Sequence, residues 1–161
     1  MTLEEKIGRI LAGRSLTLGT AESCTGGLIA GRITNAAGSS EYFEGGFVTY
    51  SNRVKTLFLG VPEETIETRG AVSAATAVAM ARGAGERLGV DLAVAVTGIA
   101  GPGGGTPDKP VGTVFIGLAA GGETYVREYH FSGTRRKIRR QTSEKALEFV
   151  LDYLEGRVCR T

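Results

Sequence analysis

Apolar residues recur along this chain with two periods, and the alternation between them sets out the architecture. Ile7, Ile10 and Leu11 share one helical face behind Thr2 and Glu5, which have capping-box spacing, so residues 3–13 are predicted helical. Residues 16–22 read as a strand that runs into Ser23-Cys24-Thr25-Gly26-Gly27, and Leu28 to Thr34 reads as a short helix ended by Gly38-Ser39-Ser40. Phe47 to Tyr50 is predicted as a second strand, followed by a helix with Ser51 as N-cap, Lys55 about one turn inside and a stop near Gly60. The alanine-rich stretch 74–88, between Ser73 and Gly89, is the clearest helix. Asp91 to Thr97 is an apolar strand that enters a long loop, Gly98 to Pro110.

Gly112 to Ala119 and Glu123 to Phe131 flank Gly121-Gly122, a hairpin signal, because paired glycines supply the positive φ angles of a two-residue turn. A last helix is expected from about Thr134 to Leu154, with Ile138, Ala146, Phe149, Val150 and Tyr153 as core contacts. Strands alternating with helices, plus one hairpin, imply an α/β fold, a layered α/β/α sandwich around a mixed β-sheet. Its 161 residues are read as one domain, with no internal repeat or linker.

Composition changes this picture in one respect. The chain holds 25 glycines, roughly twice the usual ~7%, which implies tight turns or close backbone approach to a ligand. The net charge of +2 gives little reason to expect a nucleic-acid or membrane partner. Locally, Arg135, Arg136, Lys137, Arg139 and Arg140 form a basic run that suits either an anion or a solvated helix face. Cys24 and Cys159 lack metal-ligand spacing and His130 is the lone histidine, so no metal is expected. Without a signal-like N-terminus or a run approaching ~20 apolar residues, the expected location is the cytoplasm, with reduced thiols.

The chemistry concentrates in three segments. The glycine turn after residue 22 exposes Ser23 at the carboxyl edge of the sheet and at a helix N-terminus, where free N–H groups can stabilise an oxyanion; Ser23 and Thr25 could equally serve as helix caps. A serine nucleophile needs a base, and the choice lies among His130, Lys55 and a carboxylate. Lysine serves where burial depresses its pKa, and Lys55 follows Tyr50-Ser51 directly after a strand. A rival set is Glu22, Cys24 and Lys55, the residue types of a nitrilase-like amidase, against which stands Cys24 as a small packing residue. The Gly98 to Pro110 loop lacks both the Walker A ending and the dinucleotide fingerprint, so ATP hydrolysis and classical NAD binding are unsupported; it is expected to line a pocket, with Thr97 facing substrate.

Thr20-Ala21-Glu22-Ser23-Cys24-Thr25-Gly26-Gly27, Gly38-Ser39-Ser40, Gly46 to Asn52 with Lys55, Gly70-Ala71-Val72-Ser73, Gly98-Ile99-Ala100-Gly101-Pro102 and Lys109 to Val114 occur in one order. Together they closely resemble the C-terminal domain of the competence/damage-inducible CinA proteins, over about residues 3 to 155. That resemblance implies a hydrolase, free of metal and cofactor, that converts nicotinamide mononucleotide to nicotinic acid mononucleotide and ammonia. By motif it implies Ser23 as nucleophile and Lys55 with Tyr50 as the proton-transfer pair. Thr25, Gly26, Thr97, Gly98 and Gly101 are then expected around the substrate, and Arg139 and Arg140 on its 5′-phosphate. It also implies a homo-oligomer, a dimer or larger. Many relatives carry this domain behind an N-terminal domain that resembles molybdopterin-binding proteins, whereas this sequence reads as the stand-alone form. The competing reading is a non-catalytic pyridine-nucleotide-binding or regulatory module linked to competence or DNA damage.

Overall fold

The computed structural model describes residues 1–159. Six helices and five strands follow in the order α1 (Leu3–Arg14), β1 (Leu18–Glu22), α2 (Leu28–Thr34), β2 (Phe43–Val48), α3 (Asn52–Leu59), α4 (Glu63–Arg69), α5 (Ala74–Leu88), β3 (Leu92–Gly98), β4 (Thr113–Ala120), β5 (Glu123–His130) and α6 (Arg135–Leu154). The strands form a single sheet in the order β2-β1-β3-β4-β5, parallel from β2 to β3 and antiparallel from β3 to β5. This is the mixed sheet expected from one hairpin appended to alternating strands and helices.

The sheet's two faces are packed differently. Ile7 and Leu11 of α1, Ile29 and Ile33 of α2, and Ile138, Phe149 and Val150 of α6 cover one face over Leu18, Leu92, Val94 and Val96. On the other face Leu59 of α3 and Met80, Ala81 and Ala84 of α5 lie over Ala21, Ala93 and Ala95. Small residues there let backbones approach: a Cβ on Gly83 of α5 would stand 1.9 Å from the Leu59 carbonyl oxygen of α3. Strands β1 and β3 are buried along almost their whole length because both faces and both edges are covered. Edge strand β5 alternates half-buried and exposed residues, as one open face requires.

Most boundaries match the sequence reading, including the capping box on α1, the Ser51 N-cap and αL Gly60 of α3, and α5 over 74–88. Three differ. Strand β2 begins at Phe43 and ends at Val48, so Thr49 and Tyr50 lie in the turn before α3. A 3₁₀ turn at Ser39–Glu41 and the two-turn helix α4 were not expected. Helix α4 has Pro62 before it, Glu63 and Glu64 in its first turn, Arg69 in its last and Gly70 after it, end signals that complement the helix dipole. Among the described residues no helix is long and apolar enough to cross a membrane.

Candidate active site

The site grows from the end of β1. Side chains alternate across a strand, so Leu18 and Glu22 point to the α1/α2/α6 face while Ala21 packs on the α5 face. Buried Glu22 accepts hydrogen bonds from Thr25 Oγ1 at 2.6 Å, Ile29 N at 2.9 Å and Ala30 N at 3.0 Å, and thereby caps α2 with a carboxylate. The chain can turn so tightly because Gly26 and Gly27 have φ of 59° and 105°, values that L side chains rarely adopt. Ser23, one position further, has the opposite orientation to Glu22 and meets α3. Its backbone N–H is held by Val96 O of β3.

Helix α3 turns Lys55 and Leu59 inward at i and i+4. Lys55 is 1% exposed, and its Nζ lies 3.0 Å from Ser23 Oγ, 2.8 Å from Thr49 O and 3.2 Å from Tyr50 O. Among the described residues no carboxylate bonds to this nitrogen. Burial accordingly lowers the Lys55 pKa from its ordinary value. Burial pushes the neighbouring Cys24 thiol up to about 11, so that sulfur is held as the poorly nucleophilic thiol.

A cavity of about 270 Å³ opens onto this pair. Thr97, Gly98 and Gly101 form one wall, and Ala71 and Val72 another. Thr97 Oγ1 ties the two walls together by donating to Ala71 O at 2.7 Å, while Lys109 Nζ donates to Val72 O at 2.6 Å and to Arg69 O at 3.0 Å. The mouth is bridged by Arg135, which donates to Gly101 O at 2.7 Å and to the Tyr50 hydroxyl at 2.9 Å.

Five of the expected site residues are placed differently from the substrate-facing or proton-transfer positions expected for them. Tyr50 approaches Lys55 through its main-chain carbonyl; its ring is exposed and its hydroxyl is held by Arg135, because β2 ends two residues earlier and the following turn aims carbonyls inward. Arg139 does not reach the cavity: Nε donates to Cys24 O at 3.0 Å and Nη2 to Thr25 O at 2.8 Å. Arg140, a helical step further round α6, faces α2. Thr25 and Gly26 do not line the cavity either, since the Thr25 hydroxyl is consumed by Glu22 and Gly26 lies against Arg139. The cation at the mouth is Arg135, which lies in the basic run but was not singled out. His130 sits on edge strand β5 beside Glu128, outside the cavity lining.

A model of the CinA C-terminal domain matches residues 1–154. The chain belongs to the CinA C-terminal domain family. It is 54% identical over 149 residues to a CinA-like protein of Geotalea daltonii and 55% identical over 155 residues to one of Syntrophus aciditrophicus, covering 92% and 95% of this chain. It spans only 36% and 37% of the length of those two relatives. Among solved CinA structures, the competence/damage-inducible protein CihA of Agrobacterium tumefaciens superposes with a TM-score of 0.88 at 46% identity, covering 96% of this chain and 97% of that one. A CinA superfamily protein of Klebsiella pneumoniae superposes with a TM-score of 0.92 at 32% identity, covering 96% of both chains.

Proposed function

We propose that this CinA domain is an amidohydrolase that converts nicotinamide mononucleotide and water to nicotinic acid mononucleotide and ammonia. The observation that carries the chemistry is the 3.0 Å separation of Lys55 Nζ and Ser23 Oγ at the floor of a cavity. An uncharged amine has two N–H donors and one lone pair. Thr49 O and Tyr50 O accept two hydrogens, which leaves the lone pair for the Ser23 hydroxyl proton. The depressed Lys55 pKa favours that uncharged form.

In this reading Lys55 takes the Ser23 proton as Oγ adds to the carboxamide carbon, and the carbonyl oxygen becomes the oxyanion. The amide of Cys24, a residue of the cavity lining, stands outside the cap that Glu22 makes with Ile29 and Ala30, and is the donor we assign to that oxyanion. Lys55 then returns the proton to the departing nitrogen, the C–N bond breaks, and ammonia leaves an acyl-Ser23. Water, deprotonated by Lys55, attacks the ester carbon; the acid departs and Ser23 regains its proton. Arg135 at the mouth is the cation placed to receive a phosphate. The choice of substrate rests on the resemblance to CinA domains together with this cation at one end of the cavity and the nucleophile at the other.

Ammonia release from nicotinamide mononucleotide by the purified protein tests this reading. Ser23→Ala is expected to lower turnover at least about 10⁴-fold, as loss of a covalent nucleophile does, while Cys24→Ala retains it. Tight binding of the nucleotide with no ammonia would make the domain a binding module, and a dead Cys24→Ala beside an active Ser23→Ala would transfer the nucleophile to sulfur.

A further inference from the structure

A second cavity, of about 520 Å³, lies between α2 and α6 and shares no lining residue with the Ser23 cavity. It is lined by four guanidinium groups, Arg32, Arg136, Arg139 and Arg140, and one carboxylate, Glu144. Arg32 is neutralised by Glu4 at 2.6 Å and Glu144 at 2.8 Å. The other three are not. Arg139 spends Nε and Nη2 on two neutral carbonyls, which leaves its charge uncompensated. Arg136 and Arg140 are exposed and have no ion-pair partner among the described residues.

Positions 136 and 140 are one turn apart on α6, where like charges repel, and the positive end of this 20-residue helix adds to the same field. Three guanidiniums without an ion-pair partner concentrate positive potential along one groove, which favours the entry of an anion. Their planar forks match phosphoryl oxygens two at a time. A volume of about 520 Å³ suits a small molecule. We propose that this groove is a second anion site, which takes a small phosphoryl-bearing ligand such as a diphosphate. Arg139 links it to the main site, because the guanidinium that borders the groove also holds the carbonyls of Cys24 and Thr25, the two residues after Ser23. Occupancy of the groove is therefore read at the nucleophile turn, whatever reaction that turn performs.

Calorimetric titration of inorganic pyrophosphate into the full chain at low salt tests the site without any assay of turnover. Saturable binding is expected, weakened about tenfold or more by the double substitution Arg136→Gln with Arg140→Gln and unchanged by Lys6→Gln on α1, outside the lining of both cavities. The backbone amide resonances of Cys24 and Thr25 are expected to shift on titration of the wild type. Arg136→Lys with Arg140→Lys keeps the charge and removes the forks, and it should also weaken binding; undiminished affinity there would mean diffuse electrostatics and overturn the site. Absence of saturable binding overturns it as well, as does loss of binding in Arg135→Ala with retention in the glutamine pair. Displacement of pyrophosphate by a short DNA duplex at lower phosphate concentration would make this face a nucleic-acid surface instead.

Discussion

The floor and the mouth of the Ser23 cavity are built on opposite principles. At the floor, Ser23, Lys55 and Thr97 are 8%, 1% and 1% exposed, and each is fixed by main-chain partners on neighbouring elements. At the mouth, Tyr50 is 60% exposed and the exposed Arg135 donates to its hydroxyl, a contact that solvent can replace. Burial at the floor changes the chemistry of the groups it encloses, lowering the Lys55 pKa, whereas the mouth presents the exposed Arg135 guanidinium fork to an entering anion. In the proposed amidohydrolase reaction, the difference would separate reaction from recognition. Substitutions at the floor should act on kcat, and those at the mouth on KM.

The sharpest way to break this division is Lys55→Met, which keeps the unbranched apolar stem and removes the amine. A loss of about 10²–10⁴-fold or more in kcat is expected, with the fold retained by circular dichroism. An active Lys55→Met would abolish the distinction. The wild-type rate should rise with pH along a limb set by the depressed Lys55 pKa, since only the uncharged amine accepts a proton. Stability carries the same sign. Because the folded pKa lies below the unfolded one, the unfolded chain binds more protons between the two values; stability rises with pH across that interval and is flat below it. Denaturant titrations of wild type and Lys55→Met over this range should differ in slope.

Next in size is Glu22→Ala, which strands one hydroxyl and two amide donors at the start of α2. A loss of about 2–4 kcal/mol in unfolding free energy is expected, measured by denaturant midpoint. Arg135→Ala should leave stability within about 0.5 kcal/mol, as surface substitutions usually do. It should raise KM about tenfold for a phosphorylated substrate but not for the unphosphorylated riboside; equal effects on both would remove Arg135 from phosphate recognition. The smallest change is Tyr50→Phe. Since the carbonyl that faces Lys55 survives and only the bond to Arg135 is lost, kcat should stay within about threefold. A collapse of kcat in this variant would return the ring to the proton path.

What the sequence made legible follows from what local rules control. Helix ends at Thr2, Ser51 and Gly89 and the Gly121-Gly122 hairpin depend on nearest neighbours, and these positions were readable. The proximity of Ser23 to Lys55 was implied only by resemblance, because no spacing rule brings residues 32 positions apart to 3.0 Å. Side-chain direction was least accessible. Which of Arg135, Arg139 and Arg140 meets the cavity depends on the rotation of α6 about its axis, set by Ile138, Phe149 and Val150 in the core beneath it. That Tyr50 meets Lys55 through its carbonyl was hidden for a similar reason: a strand ended two residues early exchanges the roles of a side chain and its carbonyl. Glu22 was noted only for a rival mechanism, although a carboxylate just before a helix N-terminus is a recognisable anchor.

The contact between Gly83 of α5 and the Leu59 carbonyl of α3 has a mechanical meaning for Lys55. Main chain rests directly on main chain there, one turn beyond Lys55, so this stretch of α3 has a hard stop instead of a compressible cushion of rotamers. The depth at which the amine sits is thereby gauged by backbone dimensions, and any side chain inserted at position 83 becomes a shim that lifts the helix carrying it.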